Sequence, residues 1–562
     1  MGEAFARRRF ENRKANLQML RPYNFTITPH LCHNIACTNE QAGIKDTMSN
    51  NVKQVSKTTE VDERLAALLT NSSAISSLAS AVEGTIGPKG LDCMLVDKYG
   101  DVTVTNDGAT ILDKIDTAHP AAKMLIRTAR AQEEEVGDGT TTTTILASAL
   151  ICEGVAHISR GVPVTKVIEG MRLGVRETLH YVESKSAQVG LDDEALASIA
   201  LVAARGHADI SDLIVRAARL TGEKCLRDAG YRLADAVLAK EGAANEVFAG
   251  IILDKQRASK QMPRAVENPS VLIVDDALEP PKIEDDALAT ESGFARHVAL
   301  EEEFRANIER IIALGVRFVA VAQGIDPVAE ELFVDAGVLA VRRLSSRDIA
   351  KLVELTGART IKRSGLRKDA DELKGFLGSC EGVYEDERLD HIRVVGGGGA
   401  SAATVLVGAS TREVKDERER IARDAAGAVQ AAVTSGMVPG GGAIEIAAMR
   451  HVQSVRDSVR GMAAYGVDAV ITALKKPLGH IVANAGFNPL EKVEDVIAAQ
   501  QESGTWALGV DCDTGEIVDM TARGVLDPTG VKLYALKSAS EIAEAILRIN
   551  TIIRKREEPG ER

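Results

Sequence analysis

The sequence predicts a multidomain α+β protein in which a compact α/β domain is inserted into a mainly helical body. Three observations carry this. The chain has 562 residues, more than one hydrophobic core serves, so two to four folding units are expected. Its texture runs helical, then alternates short apolar strands with helices between about residues 250 and 409, then turns helical again. Aromatic residues make up only 3% of the chain against 45% hydrophobic residues overall. The cores must therefore be built from Ala, Val, Ile and Leu, side chains that suit closely packed helices and buried strands.

Taken in order, residues 1–47 carry the basic run Arg7-Arg8-Arg9 with Arg13, Lys14 and Arg21 and no sustained periodicity. They are expected to be a disordered extension outside the fold, with Met48 as an alternative start. They lack the apolar stretch of a secretory signal, and Glu3 and Glu11 weigh against a mitochondrial transit peptide. Over residues 61–82 the apolar positions Leu65, Leu68, Leu69, Ile75, Leu78 and Val82 recur at three and four, which predicts a helix. Residues 85–90 break it. Residues 93–96 and 102–105 flank Tyr99-Gly100-Asp101 as a β-hairpin. Asn106-Asp107-Gly108 is a tight turn, after which a helix restarts over 109–115. Residues 137–144 read as a loop ahead of a helix over 145–158, and more helix runs to about Ser184. Residues 190–249 read as helical, rich in Ala and charge. Residues 251–253, 271–274, 318–321 and 338–341 read as buried strands between helices. Long helices resume near residue 410 and continue nearly to the end, apart from a β-rich patch over 509–518.

Composition excludes several classes. Lys+Arg 68 against Asp+Glu 81 leaves a net charge of -13, the wrong sign for a general nucleic-acid binder. No run of 18 or more apolar residues suggests a transmembrane helix, so no membrane partner is expected. The seven cysteines, at 32, 37, 93, 152, 225, 380 and 512, form no Cys-x-x-Cys pair. Cys32, His33 and Cys37 lack a second pair of ligands. Unpaired thiols of a reducing cytoplasm are the reading this supports.

The chemistry concentrates in glycine loops. Gly137-Asp138-Gly139 precedes five threonines, Thr140 to Thr144, and then a helix. Glycines let backbone N–H groups approach a phosphate, and a helix N-terminus adds free donors and a positive dipole end. An Asp there would repel phosphate unless Mg2+ lies between them, bound by one or two carboxylates with phosphate oxygens and water. A capped helix after a glycine turn would look the same in isolation. Three further loops stand at helix ends or starts: residues 85–90, the turn holding Asp107, and Pro439-Gly440-Gly441-Gly442-Ala443. Four such loops, two with an Asp before a Gly, exceed simple punctuation. No Gly-x-x-x-x-Gly-Lys-Ser/Thr is present, so this is not a P-loop. Gly396 to Gly399 lacks the third glycine of a dinucleotide fingerprint, with Ser401 in its place, and reads as a loose hairpin loop. The charges over residues 415–423, ahead of Asp424, read mostly as the solvated face of a helix.

The segments TIGPKGLDCMLVD, GDVTVTNDGATILDKIDTAHPAAKM, GDGTTT, GMVPGGGA and TGEIVDM…GVLDP together resemble the chaperonin family, in the family's order, from Leu65 to about Arg554. NDGATIL and HPAAK resemble its group II branch, the archaeal and eukaryotic cytosolic type. The chain is also similar to the group II-like chaperonins of some bacteria, called group III. The resemblance implies an equatorial domain over 48–189 and 438–562, an intermediate domain over 190–249 and 410–437, and an apical domain over 250–409 that grips unfolded or partly folded proteins. It implies a cytoplasmic ATPase, using ATP and Mg2+, that self-associates into stacked rings of eight and encapsulates its client under a built-in lid. The lid would be a helical protrusion over residues 283–303, which carries Phe294 and Val298 among acids.

Carried over by position, Gly87 and Pro88 would touch nucleotide, and Asp138 would bind Mg2+. Gly108, Gly139, Thr140, Thr141 and Thr142 would surround the phosphates. Asp107 would face the γ-phosphate and the attacking water, and Asp424 would reach in from the intermediate domain to orient that water. Gly441 and Gly442 would flank ribose and base, and Asp527 would bind ribose. The family's Thr-Ser-Leu stretch in the intermediate domain is here Ala203-Ala204-Arg205-Gly206-His207, a departure that bears on how the domains are coupled. A ring scaffold without ATPase activity would not need Asp107, Asp138, Asp424 and Asp527 together. A metabolic ATP-dependent enzyme would need its own His, Lys or Cys constellation, and none is evident.

Overall fold

The computed structural model describes residues 52–56, 59–62, 64–283, 290–399 and 403–555. The extension over 1–47, Met48, the Cys32–His33–Cys37 group and residues 284–289 of the lid segment lie outside them. The chain forms two compact units, one of residues 1–66 with 552–562 and one of residues 67–551. In the first, Val52–Ser56, Thr59–Asp62 and Ile552–Lys555 make a three-stranded antiparallel sheet with Thr59–Asp62 in the middle. The helix expected from residue 61 therefore starts at Arg64, because Val61 and Asp62 are paired with strands on both sides.

The second unit holds several cores. The largest is helical: Thr140–Ser159, Val164–Lys185, Ala464–Asn484 and Thr529–Leu547 surround Leu150, Ile151, Val167, Met171, Val470, Leu474 and Ala543. Thr140–Ser159 has the length and hydropathy of a membrane span; here it is apolar on most sides because helices of this core cover it. Two of the helices cross at glycines. A Cβ on Gly170 would fall 1.8 Å from the Ala463 carbonyl oxygen, and one on Gly466 would fall 2.0 Å from that of Val167. The backbones meet with no room for a side chain.

A second core packs Ala425, Ala426, Val429 and Ala432 of the helix Arg412–Ser435 against Leu196, Ile199 and Ile214 from Glu194–Ala203 and Ala208–Thr221. The helical reading of residues 190–249 fails at its end. Val237–Glu241 and Glu246–Leu253 are strands of a six-stranded sheet, in the order Val237–Glu241, Ala403–Ala409, Glu246–Leu253, His391–Val395, Gly382–Asp386, Ala265–Glu267. Alternating burial of Val237, Ala239 and Val247 marks them, at a period of two rather than 3.6.

The α/β region is built on parallel strands in the order Leu339–Val341, Val316–Val321, Ser270–Val274, Thr360–Ile361, near the expected positions. Its cores hold Val271, Ile273, Phe318 and Leu352 on one side and Leu272, Val319, Ile308 and Phe333 on the other. Gly396 to Gly399 is not a hairpin loop: the strands on either side of it are separated in the sheet by Glu246–Leu253. The run instead packs on the last turn of Ser346–Thr356. A Cβ on Gly397 would fall 2.0 Å from the Leu355 carbonyl oxygen, and the Gly399 N–H donates to that oxygen at 3.0 Å. The glycines satisfy helix-end carbonyls that a bulkier segment could not reach.

Candidate active site

The site gathers at the start of Thr140–Ser159. That helix begins at the threonines, not at Ile145 as expected. Gly139, at φ 87°, stops it from extending backward. Thr143 Oγ1 donates to the Gly139 carbonyl at 3.0 Å and Thr144 Oγ1 to that of Thr140 at 2.9 Å, which keeps these β-branched residues helical. The first turn has no side-chain cap, so its N–H donors face outward beside Thr140, Thr141 and Thr142. Asp138 lies between Gly137 and Gly139, both at positive φ, and accepts from the Gly139 N–H at 2.6 Å. Burial first, then the charge of Asp527, pushes its carboxyl up to about 6.

Asp107 ends the hairpin of Cys93–Val96 with Val102–Thr105 and caps the helix Gly108–Lys114. It accepts from the N–H of Ala109 at 3.2 Å and from the N–H and hydroxyl of Thr110 at 2.8 and 2.6 Å. A Cβ on Gly108 would fall 2.4 Å from Thr141 Oγ1, so this turn rests directly on the threonine turn. Asp424 comes from the helix Arg412–Ser435, one turn before Gly427, whose backbone abuts Gly137. Burial, then the charges of Glu133 and Asp107, holds the Asp424 carboxyl well above its usual range.

At the other end Asp527 lies on Leu526–Pro528, paired with Met437–Pro439. Gly440 sits against its carboxyl, with Cγ 2.9 Å from where a Cβ would be. Gly442 starts the helix Ala443–Arg456 without a side-chain cap and packs on Leu478. At the end of the helix that carries Leu478, Ala464–Asn484, Asn484 donates from Nδ2 to the carbonyls of Glu83 and Ile86, both at 2.9 Å. The loop of Gly87 and Pro88 is thereby set on Ala464–Asn484, the helix against which Gly442 packs, and Gly87 itself packs on Ile481.

Four residues escaped the sequence reading. Glu133 faces Asp107 and Asp138; burial, then those two charges, pushes its carboxyl up to about 7. Lys532 stands 2.7 Å from both Asp527 and Glu445. Burial, which lowers its pKa, is outweighed by those two acids, and the ammonium is held well above its usual range. Arg205, noted only as a departure, reaches Asn106, Glu417 and Asp424. Glu417, expected on a solvated face, is thus turned inward. The available signals were spacing alone: Glu133 five residues before Asp138, and Lys532 five after Asp527.

Among the described residues no group of three or more His, Cys, Asp or Glu is arranged to hold a metal by itself. The donor set does fit a cation that shares its ligands with a phosphate: Asp138 is a single carboxylate amid other negative charge, beside open N–H donors. The cysteines at 93, 152, 225, 380 and 512 are free.

The lid segment continues into a longer helix, Glu291–Ala313. Phe304, Ile308 and Ile311 bury its C-terminal half. Its first half is exposed, with Phe294 60% and Val298 38% accessible.

The profile of the TCP-1/cpn60 chaperonin family matches residues 78–557. The chain is 36% identical over 510 residues to the thermosome subunit beta of Aeropyrum pernix, covering 87% of this chain and 91% of that one. It is 34% identical over 506 residues to the thermosome subunit alpha of Thermoplasma acidophilum, covering 86% and 90%. The crystal structure of a group III chaperonin in the open state superposes with a TM-score of 0.80 at 42% identity, covering 87% of this chain and 99% of that one.

Proposed function

The chain belongs to the TCP-1/cpn60 chaperonin family, and from that premise we propose how its residues divide the work. It is an ATP-dependent chaperonin subunit of the kind that forms double-ring chambers. The observation that supports the site assignment is the convergence of Asp107, Asp138 and Asp424, from three separate segments, on the uncapped start of Thr140–Ser159.

On this reading the N–H groups and hydroxyls of Gly139 to Thr142, with Gly108, hold the phosphates. Gly441, Gly442 and Asp527 hold the nucleoside, and Gly87 and Pro88 line its edge. Asp138 would hold Mg2+, which would supply positive charge against the phosphates. Water attacks the γ-phosphorus, the bond to the β,γ-bridging oxygen breaks, and the water's proton passes to a carboxylate. Asp424 is assigned that acceptor role; burial and the neighbouring acids raise its pKa and so its affinity for a proton. Asp107, held by its cap bonds, would orient the water.

The equatorial domain is assigned to 48–189 and 438–562, the intermediate to 190–249 and 410–437, and the apical to 250–409. The separate helical, mixed and α/β cores support this division. Self-association is supported by the hairpin after residue 90, where Leu91, Met94, Val96, Tyr99, Val102 and Val104 are all exposed; stacked rings of eight are the arrangement proposed for it. The exposed half of Glu291–Ala313 supports the built-in lid, and the free thiols support a cytoplasmic location.

The test is ATP hydrolysis by purified rings, seen by electron microscopy, with and without an unfolded protein. Double rings, Mg2+-dependent turnover and protection of the client from protease are expected. Deleting residues 283–303 should keep rings and turnover and lose protection. A deletion that still protects its client would rule out the built-in lid.

A further inference from the structure

We propose that Arg205 is the positioning residue for Asp424 in ATP hydrolysis, fastening that carboxylate and its helix to Asn106, the neighbour of Asp107. The inference rests on the assignment of Asp424 above.

Arg205 follows the helix Glu194–Ala203 with φ 53°, one of four non-glycine residues at positive φ among those described. The Arg205 N–H donates to the Val202 carbonyl and the Gly206 N–H to that of Leu201, at 3.0 and 2.9 Å, closing the helix. Glycine is the usual residue at such a closure, because a Cβ there is strained. An arginine in its place calls for a reason, and the side chain gives one.

The side chain is 27% exposed, and its guanidinium donates to Asn106 Oδ1, to Glu417 Oε1 at 2.9 Å and to Asp424 Oδ2 at 3.4 Å. Glu417 and Asp424 lie two turns apart on one face of Arg412–Ser435. Glu417 is held in turn by Arg420 at 2.6 Å and by the Thr105 hydroxyl at 3.4 Å. Arg205 and Glu417 thus tie the helix carrying Asp424 to the end of the hairpin that presents Asp107. The groups facing Asp424 are Glu133, Asp107 and Asp138, all acidic, and Arg205. Among the described residues Arg205 is the one cation within ion-pair distance of it. Without that guanidinium the three acids repel Asp424, and its carboxylate has no partner to fix its direction. Arg205 itself touches no reacting atom in this arrangement; it acts through Asp424.

The left-handed backbone makes an unusually clean test available. Arg205→Gly removes the side chain and relieves the strained φ, so rings should form, the relief offsetting part of the stability lost with the ion pairs to Glu417 and Asp424. Its kcat should fall about 10- to 100-fold, the usual cost of a misplaced catalytic group, while KM for ATP stays within about threefold. Arg205→Lys should recover part of the loss, and added guanidinium ion should restore part of the turnover of R205G. Asp424→Asn, made in parallel, should be nearly inactive, and the double variant R205G/D424N no worse than D424N alone. R205G turning over like the parent while D424N is inactive, or a double variant well below D424N, overturns the role of Arg205 and leaves Asp424 in place. An active D424N overturns the assignment of Asp424 and the inference with it. Where R205G fails to assemble, Arg205→Gln carries the same comparison.

Discussion

At one end of the candidate site Lys532 stands 2.7 Å from both Asp527 and Glu445; at the other, among the described residues, the carboxyls of Asp107, Glu133, Asp138 and Asp424 have only Arg205 within ion-pair distance of any of them. The first end is a closed arrangement in which one cation bridges two acids at short range. The second carries an excess of negative charge, which with burial raises the carboxyl pKa values of Glu133, Asp138 and Asp424. On the proposed assignment the nucleoside end is the one set before any ligand arrives, and the phosphate end is the one that responds to cations and protons. Such a division suits a machine that must hold ATP firmly and yet gate its hydrolysis.

The largest effect expected is at the responsive end. Asp138→Ala should lower ATP turnover about a thousandfold, or ~4 kcal/mol of activation free energy, in a phosphate-release assay across a Mg2+ titration. Turnover like the parent's would mean that the cation is held elsewhere. At the closed end the expected effect falls on stability. Lys532→Met leaves Glu445, with its side chain 7% exposed, and Asp527 without their cation. Removing one partner of a buried ion pair costs on the order of 3 kcal/mol, so thermal unfolding of the nucleotide-free variant should begin well below that of the parent. An unchanged Tm would show that the closed end is not held together by this triad.

Much of this was legible in the sequence because it is local. The hairpin of Cys93–Val96 with Val102–Thr105 announces itself by two β-rich runs around a glycine turn. The parallel strands around Val271 and Phe318 announce themselves as short apolar runs between helices. Gly-Asp-Gly before a run of threonines marks a helix start, although the threonines are helical rather than loop; hydroxyl bonds to the preceding turn offset their β-branching. What stayed hidden depends on contacts distant in sequence. Glu133 sits in an ordinary acidic run, and only the packing of three segments places it against Asp107 and Asp138. Arg205 lies 99 residues from Asn106 and 219 from Asp424. The glycines after Val395 suggest a turn locally, but the order of strands in the sheet rules out a hairpin.

The smallest effect isolates the charge excess from catalysis. Glu133 has its carboxyl pushed up to about 7 by burial and then by Asp107 and Asp138, against an ordinary value near 4.5. Between those values the native chain holds a proton that the unfolded chain has released. The native state thus binds more protons, and stability must fall as pH rises through this window, the cost being complete above about 7. Asp138 and Asp424 act in the same direction, since both are raised. Glu133→Gln removes one member of the set without removing its volume. In nucleotide-free thermal melts from pH 5 to pH 8 the parent should lose stability as pH rises, and the variant should lose less. At pH 5 the two should nearly coincide; at pH 8 the variant should be the more stable by about 1 kcal/mol, the partly exposed position keeping the gain small. The equivalent scan on Lys532→Met supplies the contrast, because its loss should already be large at pH 5. If Glu133→Gln melts in parallel with its parent at every pH, the negative charge at the phosphate end is already compensated, and the two ends of the site are alike.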